Sequence, residues 1–268
     1  MHKDLKEIEE KLTKLSCFAV AFSGGVDSSF LLAVAKKVNP KKLLAITVSS
    51  KFVPEREIEF ATQMARSIGV EHICIDMDIL GNEAVVSNTA LRCYHCKKQT
   101  FSLVKQAAQN FGITVLLHAV NLDDLKDYRP GLKAAQELGF LSPLVEAGFT
   151  KADIRRLSRQ LDLETWNKHS QSCLATRIPY NEKITAEDLL MVDKAEALLQ
   201  GMGFAQVRVR CHGNMARIEV EPDRINKILN MDIRQKISTA FVKIGFEHTS
   251  IDIDGYKTGK MNHEIFTG

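Results

Sequence analysis

Two groups of residues in this chain have types and spacings suited to chemistry. The first is the string Ser23-Gly24-Gly25-Val26-Asp27-Ser28-Ser29. Its glycines let backbone N–H groups approach phosphate oxygens, and its serines add hydroxyl donors. A helix that opens there favours negative charge at its N-terminus. Asp27 would repel phosphate unless a cation sits between them, which makes it a candidate Mg2+ ligand. No Gly-Lys-Ser/Thr closes the string, so it is not the common P-loop. A serine-capped strand-to-helix turn would have a similar composition, but the full string after an apolar strand favours a phosphate site.

The second group is made of cysteines. Cys93 and Cys96 stand i and i+3 at the start of a helical pattern, which puts both thiols on one face. The basic neighbours Arg92 and Lys97, with the helix N-terminus, favour thiolate. Cys173 lies in the distant string Gln171-Ser172-Cys173-Leu174-Ala175-Thr176-Arg177. Three cysteines suit zinc or an iron–sulfur cluster with one open position. The pair alone fits a metal or redox role no better than a bland one. Cys17, Cys74 and Cys211 sit in apolar strand patterns and read as small buried hydrophobes.

The elements that must position these groups follow from periodicity. Cys17–Phe22, Leu43–Val48, Ile73–Met77 and Thr114–Val120 are continuous apolar runs, as expected of strands buried on both faces. Helical patterns over Ser28–Val38, Pro54–Ile68, Leu91–Phe111 and Lys151–Leu161 alternate with them. That alternation predicts an α/β fold with a parallel sheet flanked by helices. Leu163–Glu182 lacks periodicity and reads as a working loop or linker. Ala186–Met202 is again helical.

The tail changes in kind. Gln206–Arg210 and Ala216–Glu221 alternate like a hairpin, followed by a helix over Arg224–Ile244 and a strand over Ser250–Asp254. Two domains are expected, 1–182 and a small α+β domain over 183–268. In the hairpin, Arg208 and Arg210 share one face, as do Arg217 and Glu219 on the second strand. Pattern alone favours a solvated face; a phosphate grip is the sharper alternative.

Composition bounds the rest. The 268 residues carry 36 Lys+Arg against 33 Asp+Glu, a net charge of +3, so no nucleic-acid partner is expected. There is no apolar run long enough to span a membrane, and the charged N-terminus lacks a signal-peptide core, so a cytoplasmic protein is expected.

The loop string resembles that of the PP-loop (N-type) ATP pyrophosphatases, over about residues 17–180. The resemblance implies that ATP is cut between its α- and β-phosphates and that AMP passes to an acceptor. It implies ATP and Mg2+ at Ser23, Gly24, Gly25, Asp27, Ser28 and Ser29, with Thr47 and Ser49 near the adenosine and Arg92 and Asn121 completing the nucleotide site.

Further strings are similar to the LarE family of sulfur transferases: Arg92–Lys97, Tyr128–Gly131, Ser172–Tyr180 with Ile184-Thr185, and Asp254–Asn262. That family adenylylates the carboxylates of pyridinium-3,5-biscarboxylic acid mononucleotide and replaces oxygen by sulfur, for the nickel-pincer nucleotide of lactate racemase. In some members a cysteine is consumed and leaves dehydroalanine; in others three cysteines hold a [4Fe-4S] cluster carrying an extra sulfur. Cys93, Cys96 and Cys173 match the three-cysteine pattern, so the resemblance implies the [4Fe-4S] cluster mechanism, with Cys173 common to both.

The resemblance also implies that Arg177, Arg208 and Arg210 hold the substrate's phosphate and that Glu196 and Glu219 take part in catalysis. A small-molecule nucleotide substrate and a homo-oligomer are expected. The chain departs from the family at Thr176, Asn181 and His118-Ala119-Val120, where Ser, Gly and Asp-Gly-Thr are usual. Rival readings are tRNA thiolation, an amide-forming synthetase, and a non-catalytic ATP- or cluster-binding sensor.

Overall fold

The computed structural model describes residues 3–126 and 130–257. Of the strings above, Tyr128, Arg129 and Thr258–Asn262 lie outside the described residues. The chain forms two compact units, one of residues 1–78 and 93–171, the other of residues 79–92 and 172–268.

In chain order the first part comprises α1 (Lys6–Thr13), β1 (Cys17–Ala21), α2 (Val26–Lys37), β2 (Lys42–Ser49), α3 (Glu55–Ile68) and β3 (Glu71–Asp76). A single turn, α4 (Glu83–Val86), belongs to the second unit. Then come α5 (Arg92–Asn110), β4 (Val115–Leu117), α6 (Gly131–Glu137), β5 (Phe140–Leu141), α7 (Pro143–Glu146) and α8 (Lys151–Gln160). The five strands make a wholly parallel sheet in the order β3-β2-β1-β4-β5. β1 and β2 bury consecutive residues because helices cover both faces, as the unbroken apolar runs predict.

The core of this unit packs Phe18, Val20, Phe30, Leu31, Phe149 and Ile154 on one side of the sheet and Ala19, Leu44, Ile46, Val104 and Phe140 in a second cluster. α3 stops at Gly69, whose φ of 76° serves the left-handed cap that glycine adopts without strain. α8 starts at a capping box: Thr150 accepts from the Asp153 backbone, and Asp153 reaches back.

The second unit contains α9 (Ala186–Gly201), β6 (Val207–His212), β7 (Met215–Val220), α10 (Ile225–Ile228), α11 (Met231–Ile244) and β8 (His248–Ile251). β6 and β7 form the expected hairpin, and β8 joins β7 in parallel. The helix expected over 224–244 is broken at Leu229-Asn230. Asn230 accepts from the Asp232 and Ile233 backbones and so starts a new helix rather than continuing one. β6 is buried along its length, so the arginine face is not solvated; Arg208 and Arg210 are 2% and 6% exposed. Thr185 caps α9, accepting from the Asp188 backbone.

Candidate active site

The phosphate loop leaves β1 and enters α2. Gly24 has φ 66°, and a Cβ there would meet the Ala61 Cα at 2.8 Å, so the loop and α3 touch only because this residue has no side chain. The Ser28 hydroxyl donates to the Gly25 carbonyl at 3.2 Å and accepts from the Ser23 backbone at 3.3 Å. The Ser23 and Ser28 hydroxyls are 3.1 Å apart, and the Gly25 N–H points to Ser23 Oγ at 3.4 Å. The loop is therefore shaped by its own serines, and no side chain caps the first turn of α2. Buried Ser29 Oγ and Asp27 Oδ1 have no hydrogen-bond partner among the described residues. A buried donor and a buried carboxylate oxygen left open at a helix N-terminus fit a phosphate and its cation.

Asp27 Oδ2 pairs with Lys151 Nζ at 2.5 Å. Burial raises the Asp27 pKa above the ordinary carboxylate value, against the opposing pull of Lys151. Lys168 Nζ stands 2.8 Å from Glu57 and 3.5 Å from the Gly24 carbonyl, over the Phe60 ring. Arg155 holds the carbonyls of Trp166 and Lys168, each at 2.8 Å. Lys151, Lys168 and Glu57 were not expected from the sequence. The helical pattern expected from Lys151 onward, with the Thr150–Asp153 capping box, placed Lys151 at a helix start but gave no sign that it reaches Asp27.

Around the same sheet, buried Thr47 donates to the Phe22 carbonyl at 2.8 Å and meets His72 Nε2 at 2.8 Å; Ser49 is half-buried. Buried Asn121 closes a turn by accepting from the Asp123 and Asp124 backbones at 2.9 and 3.3 Å. His118 packs edge-on against the contacting rings of Phe101 and Phe140 and meets Ser142 Oγ at 2.6 Å; burial, with help from Lys97, lowers its pKa to about 4.

Cys93 and Cys96 are both half-buried in the first turn and a half of α5. Cys173 is half-buried in the second unit, just before the 3-10 turn Leu174–Arg177. No group of three His, Cys, Asp or Glu poised to hold a metal occurs among the described residues.

Arg177 organises the Cys173 turn. Its guanidinium makes a two-point pair with Glu196 at 2.8 and 2.9 Å and donates to the carbonyls of Ser172 and Cys173, both at 3.0 Å. Both partners are 1% exposed. Glu196 Oε1 also accepts from the Val209 backbone at 2.9 Å, which ties α9 to β6. Arg210 repeats the motif with Glu219, at 3.0 and 2.8 Å, and donates to the Thr176 carbonyl at 2.6 Å. Arg208 lies against the Tyr256 ring, 5.1 Å from its centre, and donates to the Val207 carbonyl at 2.7 Å. Burial and neighbouring Arg177 lower its pKa to about 10. Three arginines buried side by side gather planar donors of the kind that grip an anionic ligand.

Arg92 belongs to this unit: it is 2% exposed and donates to the Ala175 carbonyl at 3.0 Å.

A PP-loop domain family model matches residues 1–128. The chain is 37% identical over 266 residues to an uncharacterized protein of Synechocystis sp., covering 99% of each. It is 34% identical over 255 residues to the pyridinium-3,5-bisthiocarboxylic acid mononucleotide synthase of Lactiplantibacillus plantarum, covering 95% of this chain and 92% of that one. A tRNA-specific 2-thiouridylase of Rickettsia felis is 26% identical over 193 residues, 58% of this chain and 52% of that one. With its phosphate loop, its Cys173 turn and near-full-length similarity to that synthase, the chain belongs to the LarE family of ATP-dependent sulfur transferases within the PP-loop superfamily.

Proposed function

We propose that this protein adenylylates a carboxylate of pyridinium-3,5-biscarboxylic acid mononucleotide and replaces oxygen by sulfur, a step toward the nickel-pincer nucleotide. The observation that carries the reading is the combination, in one chain, of an open phosphate loop and a cysteine turn held by buried arginines. The 34% identity to the named synthase supports it.

Ser23, Gly24, Gly25, Ser28 and Ser29 hold the ATP phosphates, with Thr47, Ser49 and Asn121 toward the nucleoside. Asp27 is the site for Mg2+, whose charge would offset that building on the phosphates. Lys151 now neutralises Asp27 and is placed to turn to a phosphate oxygen instead. A substrate carboxylate oxygen attacks the α-phosphorus, the bond to the β-phosphate oxygen breaks, and pyrophosphate leaves.

The arginine cluster of Arg177, Arg208 and Arg210 receives the substrate's own phosphate. Arg177 and Arg210 already hold Glu196 and Glu219, so the ligand enters a network whose carboxylates share their donors. The Cys173 thiolate then attacks the acyl carbon, and the C–O bond to AMP breaks, giving a thioester. Loss of the Cys173 α-proton with cleavage of its Cβ–Sγ bond leaves sulfur on the substrate and dehydroalanine in the chain. Glu219 and Glu196 are the acid–base groups of this unit. Residues 183–268 form the substrate-binding and oligomerisation domain in this reading, and the protein works in the cytoplasm as a homo-oligomer.

The thiols of Cys93, Cys96 and Cys173 are the right donor chemistry for a [4Fe-4S] cluster, and the family resemblance favours one. Cys93 and Cys96 belong to one unit and Cys173 to the other, and together they would supply its three thiolate ligands. The deciding experiment is anaerobic purification with iron and sulfide assays, alongside thiocarboxylate formation by wild type and Cys173→Ser. Iron and sulfide of about four each per chain, lost on changing any of the three cysteines, support the cluster. An iron-free protein that converts substrate once and gains dehydroalanine at 173 supports consumption of Cys173. Product formation by Cys173→Ser overturns both.

A further inference from the structure

Asn88 has no part in the reading above, and Arg92, expected at the nucleotide site, makes further contacts within the second unit. Asn88 is fully buried and adopts φ 57°, the left-handed region that asparagine tolerates better than most side chains. Both ends of its amide are used. Nδ2 donates to the Pro179 carbonyl at 2.7 Å and to the Ile178 carbonyl at 3.3 Å. Oδ1 accepts from Arg92 Nη1, which also donates to the Ala175 carbonyl at 3.0 Å. The Arg92 guanidinium stacks 5.2 Å from the Tyr180 ring centre. The backbone extends the grip: the Asn88 carbonyl accepts from Asn181 at 3.0 Å, and the Val86 carbonyl from Ile184 at 2.8 Å.

These contacts fall on residues 175–184, beginning two residues after Cys173. From the other side, Arg177 and Thr176 bond the Cys173 carbonyl, at 3.0 Å from Arg177 Nη1 and 2.8 Å from Thr176 Oγ1. Apolar packing of Leu174, Ala175 and Ile178 would bury the segment without fixing which way its carbonyls point. Hydrogen bonds do fix it.

The geometry points to Asn88 and Arg92 as a positioning pair that sets the attitude of the Cys173 turn, acting through the carbonyls of Ala175, Ile178 and Pro179. The role rests on Cys173 being the sulfur-bearing residue. Neither residue touches a reacting atom.

Asn88→Gly is the informative variant, because glycine keeps the left-handed backbone while deleting both amide contacts. Arg92→Lys keeps the charge but loses the planar fork. The readouts are the iodoacetamide alkylation rate at Cys173, followed by peptide mapping in the ATP-free protein, the pyrophosphate release rate and its KM for ATP, and thiocarboxylate yield. The expected result for Asn88→Gly is Cys173 alkylation faster by about 5-fold or more, with thiocarboxylate yield per pyrophosphate released lower by about 10- to 100-fold. Arg92→Lys should fall between wild type and Asn88→Gly on both measures, with the KM for ATP within about 2-fold of wild type.

Unchanged Cys173 alkylation in both variants overturns the proposal. So does an ATP KM raised in Arg92→Lys in step with the loss of product, which would return Arg92 to the nucleotide site. If Asn88→Gly does not fold, Arg92→Lys alone decides by the same two measures. Failure of the sulfur-bearing role is separate: Cys173→Ser would still make product, while the alkylation rates would still report on the brace.

Discussion

At the scale of the residue, Asp27 carries the tension between fold and function. Its carboxylate is held near the loop in surroundings that raise its pKa, burial outweighing Lys151. A carboxyl whose pKa is higher in the fold than in the unfolded chain lends stability below the ordinary value near 4, and loses it as pH rises through the folded pKa. At neutral pH the ionised Asp27 is therefore a net cost to the apo protein, offset when a cation binds. Asp27→Asn is expected to raise the apo melting temperature at pH 7 by about 2–4 °C, on the order of 1 kcal/mol. It is expected to lower pyrophosphate release by at least about 100-fold. Calorimetry and a pyrophosphate assay on one preparation test both, and undiminished turnover would remove Asp27 from the cation site. The loop was legible in sequence because its seven residues are contiguous. Lys151, Lys168 and Glu57 were not, because Lys151 and Lys168 reach the loop from distant parts of the chain and Glu57 meets it through Lys168.

At the scale of the element, the loop works only if α3 can press against it. Gly24 permits that approach, since any Cβ would collide with the Ala61 backbone and the φ of 66° disfavours a side chain in its own right. Gly24→Ala is expected to weaken ATP binding about 10-fold or more while leaving the far-UV circular dichroism of the sheet in place; titration calorimetry with a non-hydrolysable ATP analogue measures it. An unchanged Kd would mean that α3 gives way freely.

Just past β4, His118 is 8% exposed. The aromatic pair of Phe101 and Phe140 explains why a neutral ring is kept there. Its pKa of about 4 lies below the ordinary histidine value, so the fold binds the neutral form. Stability is lost as pH falls from about 6.5 toward about 4, by roughly 3 kcal/mol at most. His118→Gln should flatten the melting-temperature profile between pH 6.5 and 4 relative to wild type, and parallel profiles would contradict the burial argument.

Continuous apolar runs made β1, β2 and β4 readable, since a strand covered on both faces has no polar alternation; β3 also formed, but as an edge strand with no buried residue, so Cys74 is exposed and Cys17 on β1 only half-buried rather than the buried hydrophobes expected. β5 has only Phe140 and Leu141 and was not anticipated; two residues cannot display a period. The arginine strand β6 was misjudged by pattern for the opposite reason. Alternation of Val and Arg looks like one wet face, yet Glu196 and Glu219 supply partners that let the arginines stay buried.

At the scale of the whole molecule, charge separates the small-molecule reading from tRNA thiolation. The similarity to a 2-thiouridylase spans only 58% of this chain, whereas similarity to the mononucleotide synthase spans 95%. A protein that grips several phosphates of a folded RNA needs a basic surface, and its affinity falls steeply with salt through counterion release. This chain's net charge is +3, and three of its arginines are spent inside the second unit on buried partners rather than on a face. The net charge that would steer RNA is thus small. Bulk tRNA is expected to leave the pyrophosphate release rate with the mononucleotide substrate within about 2-fold, and raising salt from 50 to 200 mM should change KM for that substrate by no more than about 5-fold, as for a ligand with one or two phosphates. Stimulation of pyrophosphate release by tRNA alone, with a salt dependence of about 1000-fold over the same range, would reverse the assignment and make the buried arginine cluster a structural device rather than a substrate site.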